Sequence, residues 1–286
     1  MSTIGVLVHQ EREQAAAVAR EVITWLQGRD QRVWLPFDDA ARIGLPVLAA
    51  EAREAAPSTD VVVSIGGDGT MLRAVDMAAP HDVGIIGVNV GQMGYLTEVE
   101  PDGWPEALER WLAGDYTIDE RMLLSVAIEH TGRSGRASAT VALNEAVLEK
   151  TPMGHTVRLS VDLNDEFFTT YAADGLIVAT PTGSTAYAFS ARGPIVAPGL
   201  RALMLTPVSP HMLFDRTLVL EPTTTVRLTV CGHRPATLSV DGRNLGQLEA
   251  GDALVCTASG HRARLVGFGD RYFHQIVKAK FGLEDR

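Results

Sequence analysis

Gly66-Gly67-Asp68-Gly69-Thr70 follows directly on the apolar run Val61-Val62-Val63-Ser64-Ile65. A β-branched, uncharged run of this kind reads as a buried strand. Two glycines at its end let the backbone turn sharply and come close to a ligand. Residues 70–79 then read as a helix, whose opening N–H groups would face the same spot and favour a phosphate. An acid repels phosphate, so Asp68 is expected to handle a hydroxyl proton or to hold a magnesium ion. An isolated Gly-Asp-Gly is most often a turn that caps a helix. The strand before this one and the helix behind it set it apart.

Three further clusters carry polar groups where apolar ones would be expected. Asn89-Val90-Gly91-Gln92-Met93-Gly94-Tyr95-Leu96-Thr97 ends a β-like run with a glycine-spaced loop, which by itself is also what a plain turn looks like. Asn144-Glu145 interrupts an apolar β run and must find hydrogen-bond partners, from a local network or from a ligand. Two adjacent polar groups suit the vicinal hydroxyls of a ribose, with Glu145 accepting. The third cluster, Asp174 to Ser190, reads strand, then Thr/Gly/Ser-rich turn, then a helix over residues 184–191 capped near Ser184 or Thr185. Its small hydroxyl residues leave room for a flat ligand, and Tyr187 could stack on a base. Beside the first motif it reads as the nucleoside half of a bipartite site.

The elements that must position these groups fall into two kinds. Residues 3–8, 32–35, 61–65 and 82–89 read as strands, alternating with helices over 13–28, 45–55, 70–79 and 105–113. That alternation predicts a parallel, Rossmann-like sheet, whose ligands collect at the carboxyl ends of the strands. From residue 122 onward short β runs are separated by turns such as Asn164-Asp165 and Asp241-Gly242, which predicts an all-β sandwich. A helical tail over 272–281 could fold back on the first domain. The expected division is 1–121, with 265–286 packed back on it, and 122–264.

The 286 residues are 46% hydrophobic and 21% charged, ordinary for a folded globular chain, with a formal charge of -10. The sequence pI is about 5.3. No electrostatic footprint for nucleic acid or an anionic membrane is present, so a phosphate ligand must be held by a local field. Cys231 and Cys256 lack metal-ligand spacing and are expected to be reduced thiols. With no signal peptide or membrane span expected, the reading is a cytoplasmic protein.

Taken together, GGDGT, the segment 89–96, Asn144-Glu145 and DGLIVATPTGSTAY resemble the bacterial NAD kinases, in order and spacing, over nearly the whole chain. The resemblance implies transfer of the ATP γ-phosphate to the 2′-hydroxyl of the adenosine ribose of NAD, with a divalent metal, expected to be magnesium, and a homodimeric or homotetrameric assembly. It implies that Asp68 accepts the hydroxyl proton, with Gly67 and Gly69 in the loop that approaches the phosphates, Arg73 one helical turn on, and Asn89 in the next loop. Asn144 and Glu145 match the ribose pair. Ala172, Asp174, Thr185, Ala186, Tyr187, Ala188, Phe189 and Ser190 match contacts to the adenine and nicotinamide. His155 falls at a place where the family often has a basic residue, and Gln247, expected in a polar loop, matches a late contact. No residue is assigned as a metal ligand. One departure is Arg192-Gly193-Pro194, where the family usually carries two glycines before the proline.

Two other readings share some of these features. A diacylglycerol-type lipid kinase or a phosphofructokinase also carries a GGDG-like turn, but not the Asn144-Glu145 or 174–190 clusters in this form. A non-catalytic NADP-binding sensor would be marked by loss of Asp68, which is present here.

Overall fold

The computed structural model of the chain describes residues 1–92, 94–132, 139–151, 155–269 and 273–283. Met93 and Tyr272, read above as part of the glycine loop and the tail helix, lie outside the described residues. The chain divides into two compact units, residues 1–120 with 262–286, and residues 121–261.

The first unit runs β1 (Thr3–Val8), α1 (Glu13–Gln27), β2 (Arg32–Trp34), α2 (Phe37–Arg42), α3 (Ala52–Ala55), β3 (Val61–Gly66), α4 (Asp68–Ala78), β4 (Gly84–Asn89) and α5 (Trp104–Ala113). Its strands lie in the order β2-β1-β3-β4, all parallel. β3 is buried along its whole length, as a central strand covered on both faces must be. Helix α1 turns Val18, Val22, Ile23 and Leu26 inward against Ile4, Val6 and Val63. The helix expected over 45–55 is different in the structure. A 3-10 turn at Pro46–Leu48, the single turn of α3 and a second 3-10 turn at Ala56–Ser58 replace it, because Pro46 and Pro57 each remove a backbone donor. The six residues of α2, opened by Pro36, are too few to show a period in the sequence.

The second unit takes β5 (Thr117–Glu129) from residue 121 on and β16 (Ala253–Gly267) up to residue 261, and between them β6 (Thr140–Ala142), β7 (Glu145–Lys150), β8 (Val157–Leu163), β9 (Glu166–Ala173), β10 (Gly175–Ala179), α6 (Tyr187–Ser190), β11 (Leu203–Val208), β12 (Leu218–Leu220), β13 (Val226–Val230), β14 (Ala236–Val240) and β15 (Arg243–Leu248). One sheet has the order β12-β11-β10-β7-β14-β15 and is antiparallel throughout. The other places β13 between β8 and β16, with β9 beyond β8. Alternate residues of β13 and β14 are buried, and Leu148, Leu176 and Val178 of one sheet pack in one core with Val161, Leu228 and Cys256 of the other. This is the interdigitated interior of a β-sandwich. Asn164-Asp165 and Asp241-Gly242 take positive φ at both positions, the tight hairpin turns their residue types favour.

Arg264 and Leu265, late in β16, pair in parallel with β4, and α7 (Phe273–Phe281) follows in the first unit. Among the described residues no helix is long and apolar enough to cross a membrane.

Candidate active site

In the first unit β3 ends at Gly66 and α4 begins at Asp68, with Gly67 as its N-cap. Asp68 therefore stands in the first turn, where the helix dipole favours a negative charge. Its carboxylate accepts the backbone N–H groups of Tyr95 at 2.9 Å and Leu96 at 3.1 Å. The loop after β4 thus fixes the acid's orientation. That loop can come so close because residue 94 is glycine: a β-carbon there would lie 2.1 Å from Asp68 Oδ1. Asn89, at the end of β4, pairs with Gly66 across the sheet. It is buried, and its Oδ1 has no hydrogen-bond partner, so a polar acceptor is left at the carboxyl edge of the sheet beside the glycine turn.

Arg73 lies one turn into α4, but its guanidinium is engaged. It donates to both oxygens of Asp39, at 2.9 and 3.0 Å, and to the Val8 carbonyl at 3.0 Å. Asp39 is fully buried, and the two-pronged pairing neutralises a carboxylate that could not otherwise be there. Among the described residues no three His, Cys, Asp or Glu side chains gather as a metal cage. A single carboxylate at the phosphate loop fits magnesium that arrives on substrate phosphates.

In the second unit Asn144 and Glu145 sit where β6 gives way to β7. The Asp241 carboxylate accepts the N–H groups of Leu143 at 2.7 Å, Asn144 at 2.9 Å and Glu145 at 3.0 Å. Glu145 is buried and its Oε2 has no hydrogen-bond partner. Burial first, then the neighbouring Asp241 charge, pushes its pKa up to about 8 against the pull of the Tyr187 backbone N–H. The raised value favours the protonated carboxyl, which can donate a hydrogen bond as well as accept one. Burial also raises Asp241, partly offset by the three N–H groups it accepts. Asp241 is the residue that sequence reasoning missed. Its signal was present, but was read only as a hairpin turn.

The segment 174–190 departs from the expected helix over 184–191. A 3-10 turn at Thr182–Thr185 is followed, after Ala186 at φ -99° and ψ -130°, by the four residues of α6. Gly183 presses so close to Asn144 that a β-carbon would lie 2.2 Å from its carbonyl oxygen, and Ser184 Oγ is tied to both backbone groups of Val196. These contacts hold the turn tight and bend the chain before Tyr187. A cavity of about 650 Å³ opens here, lined by Lys150, Asp174, Tyr187, Asn244 and Gln247 among others. Lys150 Nζ meets Asp174 at 2.8 Å. Gln247 lies on β15, not in a loop, and faces this cavity because the strand is exposed along most of its length. Of the other residues named from sequence, Ala188 is buried, Thr185, Ala186 and Ala172 are half-buried, and Phe189 and Ser190 are exposed. His155 is exposed ahead of β8 and does not line the cavity.

Comparison with known proteins fits this geometry. Family models described as the ATP-NAD kinase N-terminal domain and the ATP-NAD kinase C-terminal domain match residues 4–116 and 143–268. An NAD kinase of Heliobacterium modesticaldum is 41% identical over 281 residues, spanning 98% of both chains. The chain belongs to the NAD kinase family. A second relative, the NAD kinase of Moorella thermoacetica, is 38% identical over 98% of this chain and 89% of its own. In fold the chain matches yeast NADH kinase, solved with NADH, at a TM-score of 0.92 and 23% identity, covering all of this chain and 89% of that one. It also matches an Archaeoglobus fulgidus NAD kinase, solved with ATP, at a TM-score of 0.72 and 22% identity, covering 99% and 98%. The resemblance drawn from GGDGT, Asn144-Glu145 and the 174–190 segment, and the α/β plus β-rich fold, therefore hold for the whole chain.

Proposed function

We infer that this chain is an ATP-dependent NAD kinase, transferring the γ-phosphate of ATP to the 2′-hydroxyl of the adenosine ribose of NAD to give NADP and ADP. The observation that carries the reading is Asp68, a carboxylate held by two backbone amides at the glycine turn between β3 and α4, in a chain of this family. Phosphoryl transfer asks a protein mainly for positioning and charge neutralisation. Asp68 accepts the proton that leaves the hydroxyl, and the N–H groups of the Gly67-to-Gly69 turn face the phosphates. A magnesium ion carried in on ATP would neutralise phosphate charge there, with Asp68 the carboxylate at hand to hold it. Glu145, with its buried unpartnered oxygen, and Asn144 receive the ribose hydroxyls. Asp174, Tyr187 and Gln247 line the cavity for the dinucleotide's bases. Arg73, held by Asp39 and the Val8 carbonyl, stands one helical turn beyond the phosphate loop. We extend the reading to a cytoplasmic homo-oligomer; the two unpaired cysteines are in keeping with a reducing compartment.

The test is NADP formation from NAD, ATP and magnesium by purified protein, wild type against Asp68→Asn. Loss of general-base help lowers turnover by about 10²–10⁴-fold while NAD binding persists. Wild-type protein that binds NAD or NADP and never forms product would make the chain a sensor.

A further inference from the structure

Four cationic or potentially cationic side chains, His9, Arg12, Arg42 and Arg73, gather where β1 ends, beside the end of β3, where the His9 N–H donates to the Ile65 carbonyl at 2.9 Å. Only Arg73 is neutralised by a buried acid, Asp39. Arg12 makes no ion pair among the described residues. Its Nη1 donates to the Val90 carbonyl, and the guanidinium lies over Gly91, where a β-carbon would take its place. Arg42 donates through Nε to the His9 carbonyl at 3.0 Å. Its Nη2 is buried without a hydrogen-bond partner, and the carboxylate it meets, on the 81% exposed Glu13, is 3.9 Å away. His9 Nδ1 accepts the N–H groups of Glu11 and Arg12, so its remaining proton is on Nε2. Burial first, then Arg12, with Arg42 and Arg73 adding, holds its pKa below the usual imidazole value, against the pull of Glu11.

Gathered like charges repel unless an anion joins them. In a chain of formal charge -10 such a local positive field is unexpected. It lies at the carboxyl edge of the parallel sheet, next to the turn whose amides already favour phosphate. We propose that Arg12 and Arg42 are binding residues for the polyphosphate chain of the phosphoryl donor, fixed in advance by their bonds to the Val90 and His9 carbonyls. The assignment rests on the kinase reading above and deepens it by naming the side chains that grip the donor. Arg12 is held from the loop after β4, whose Val90 N–H donates to the Gly66 carbonyl, and Arg42 from His9, whose N–H donates to the Ile65 carbonyl, so both are anchored beside the glycine turn. Each keeps unengaged N–H donors in a fork that matches phosphate oxygens.

Steady-state kinetics and calorimetry with inorganic tripolyphosphate and magnesium test it, on wild type, Arg12→Ala, Arg42→Ala and Arg12→Gln. Loss of a charge-assisted bond to phosphate raises KM for ATP about 10- to 100-fold, leaves KM for NAD within about twofold, and weakens tripolyphosphate binding in parallel. Arg12→Gln removes the charge and keeps a polar stem, so it shows the same KM shift in a protein whose cooperative melting transition records that it is folded. An unchanged KM for ATP in both arginine variants, or a rise in KM for NAD instead, overturns the assignment. Tripolyphosphate binding reads the pair without turnover. If wild type forms no NADP yet binds tripolyphosphate through these arginines, the kinase reading fails and the anion site stands.

Discussion

Asp241 and Glu145 are tied at two points: the Asp241 carboxylate accepts the Glu145 N–H at 3.0 Å, and the Asp241 N–H donates to the Glu145 carbonyl at 3.0 Å. The hairpin turn between β14 and β15 thereby fixes the place where β7 begins. A residue of no evident chemistry sets the geometry of the proposed ribose pair.

Replacing Asp241 with Ala leaves the N–H groups of Leu143, Asn144 and Glu145 without their acceptor. Unfolding by urea should show a loss of about 3 kcal/mol, the cost of buried donors left unpaired, together with a raised KM for NAD. Asp241→Asn keeps one acceptor oxygen and should fall between. Stability equal to wild type in both variants would show that the tie contributes nothing.

Glu145 gives the fold a pH dependence whose sign is fixed. Its folded pKa of about 8 lies above the ordinary 4.5, so between those values the folded chain binds a proton the unfolded chain has lost. The associated stability is full below the lower value and is lost as pH rises through about 8. Melting temperatures should therefore decline from pH 5 to 9 in wild type, by a difference on the order of 3 kcal/mol. They should be flatter in Glu145→Gln. Parallel profiles would exclude Glu145 as the source.

Gly94→Ala places a methyl group 2.1 Å from Asp68 Oδ1. The loop or the acid must move, and a displacement of about 1 Å costs roughly 10²-fold in rate. The expected outcome is a large fall in kcat with KM for NAD little changed and the melting temperature within a few degrees. Full activity in a folded Gly94→Ala protein would separate Asp68 placement from this loop.

Arg192 holds φ of +66°, a left-handed conformation that suits glycine, the residue the family usually has there. Arg192→Gly should stabilise the protein by about 1 kcal/mol, the strain relieved less the added freedom of the unfolded chain. The urea midpoint measures it directly, and a destabilised variant would mean that the guanidinium itself makes a contact worth more than the strain.

The residues by themselves determined the outline. The β-branched run before Gly66, the alternation of strands and helices up to residue 113 and the turn-punctuated β runs beyond it fix local structure through periodicity and turn chemistry, which act over a few residues. The same locality placed Asp68 at a helix start. Tertiary structure decided which groups meet. Arg73 faces Asp39, thirty-four residues earlier in sequence, because α2, too short to be read from a period, brings that acid under β1. Asp241 meets Asn144 and Glu145 from nearly a hundred residues away because β7 and β14 are neighbours in one sheet. The Glu145 pKa rises because burial removes the water that would stabilise its charge. Strand order, close approach and desolvation depend on the whole chain at once, and no short stretch of sequence carries them.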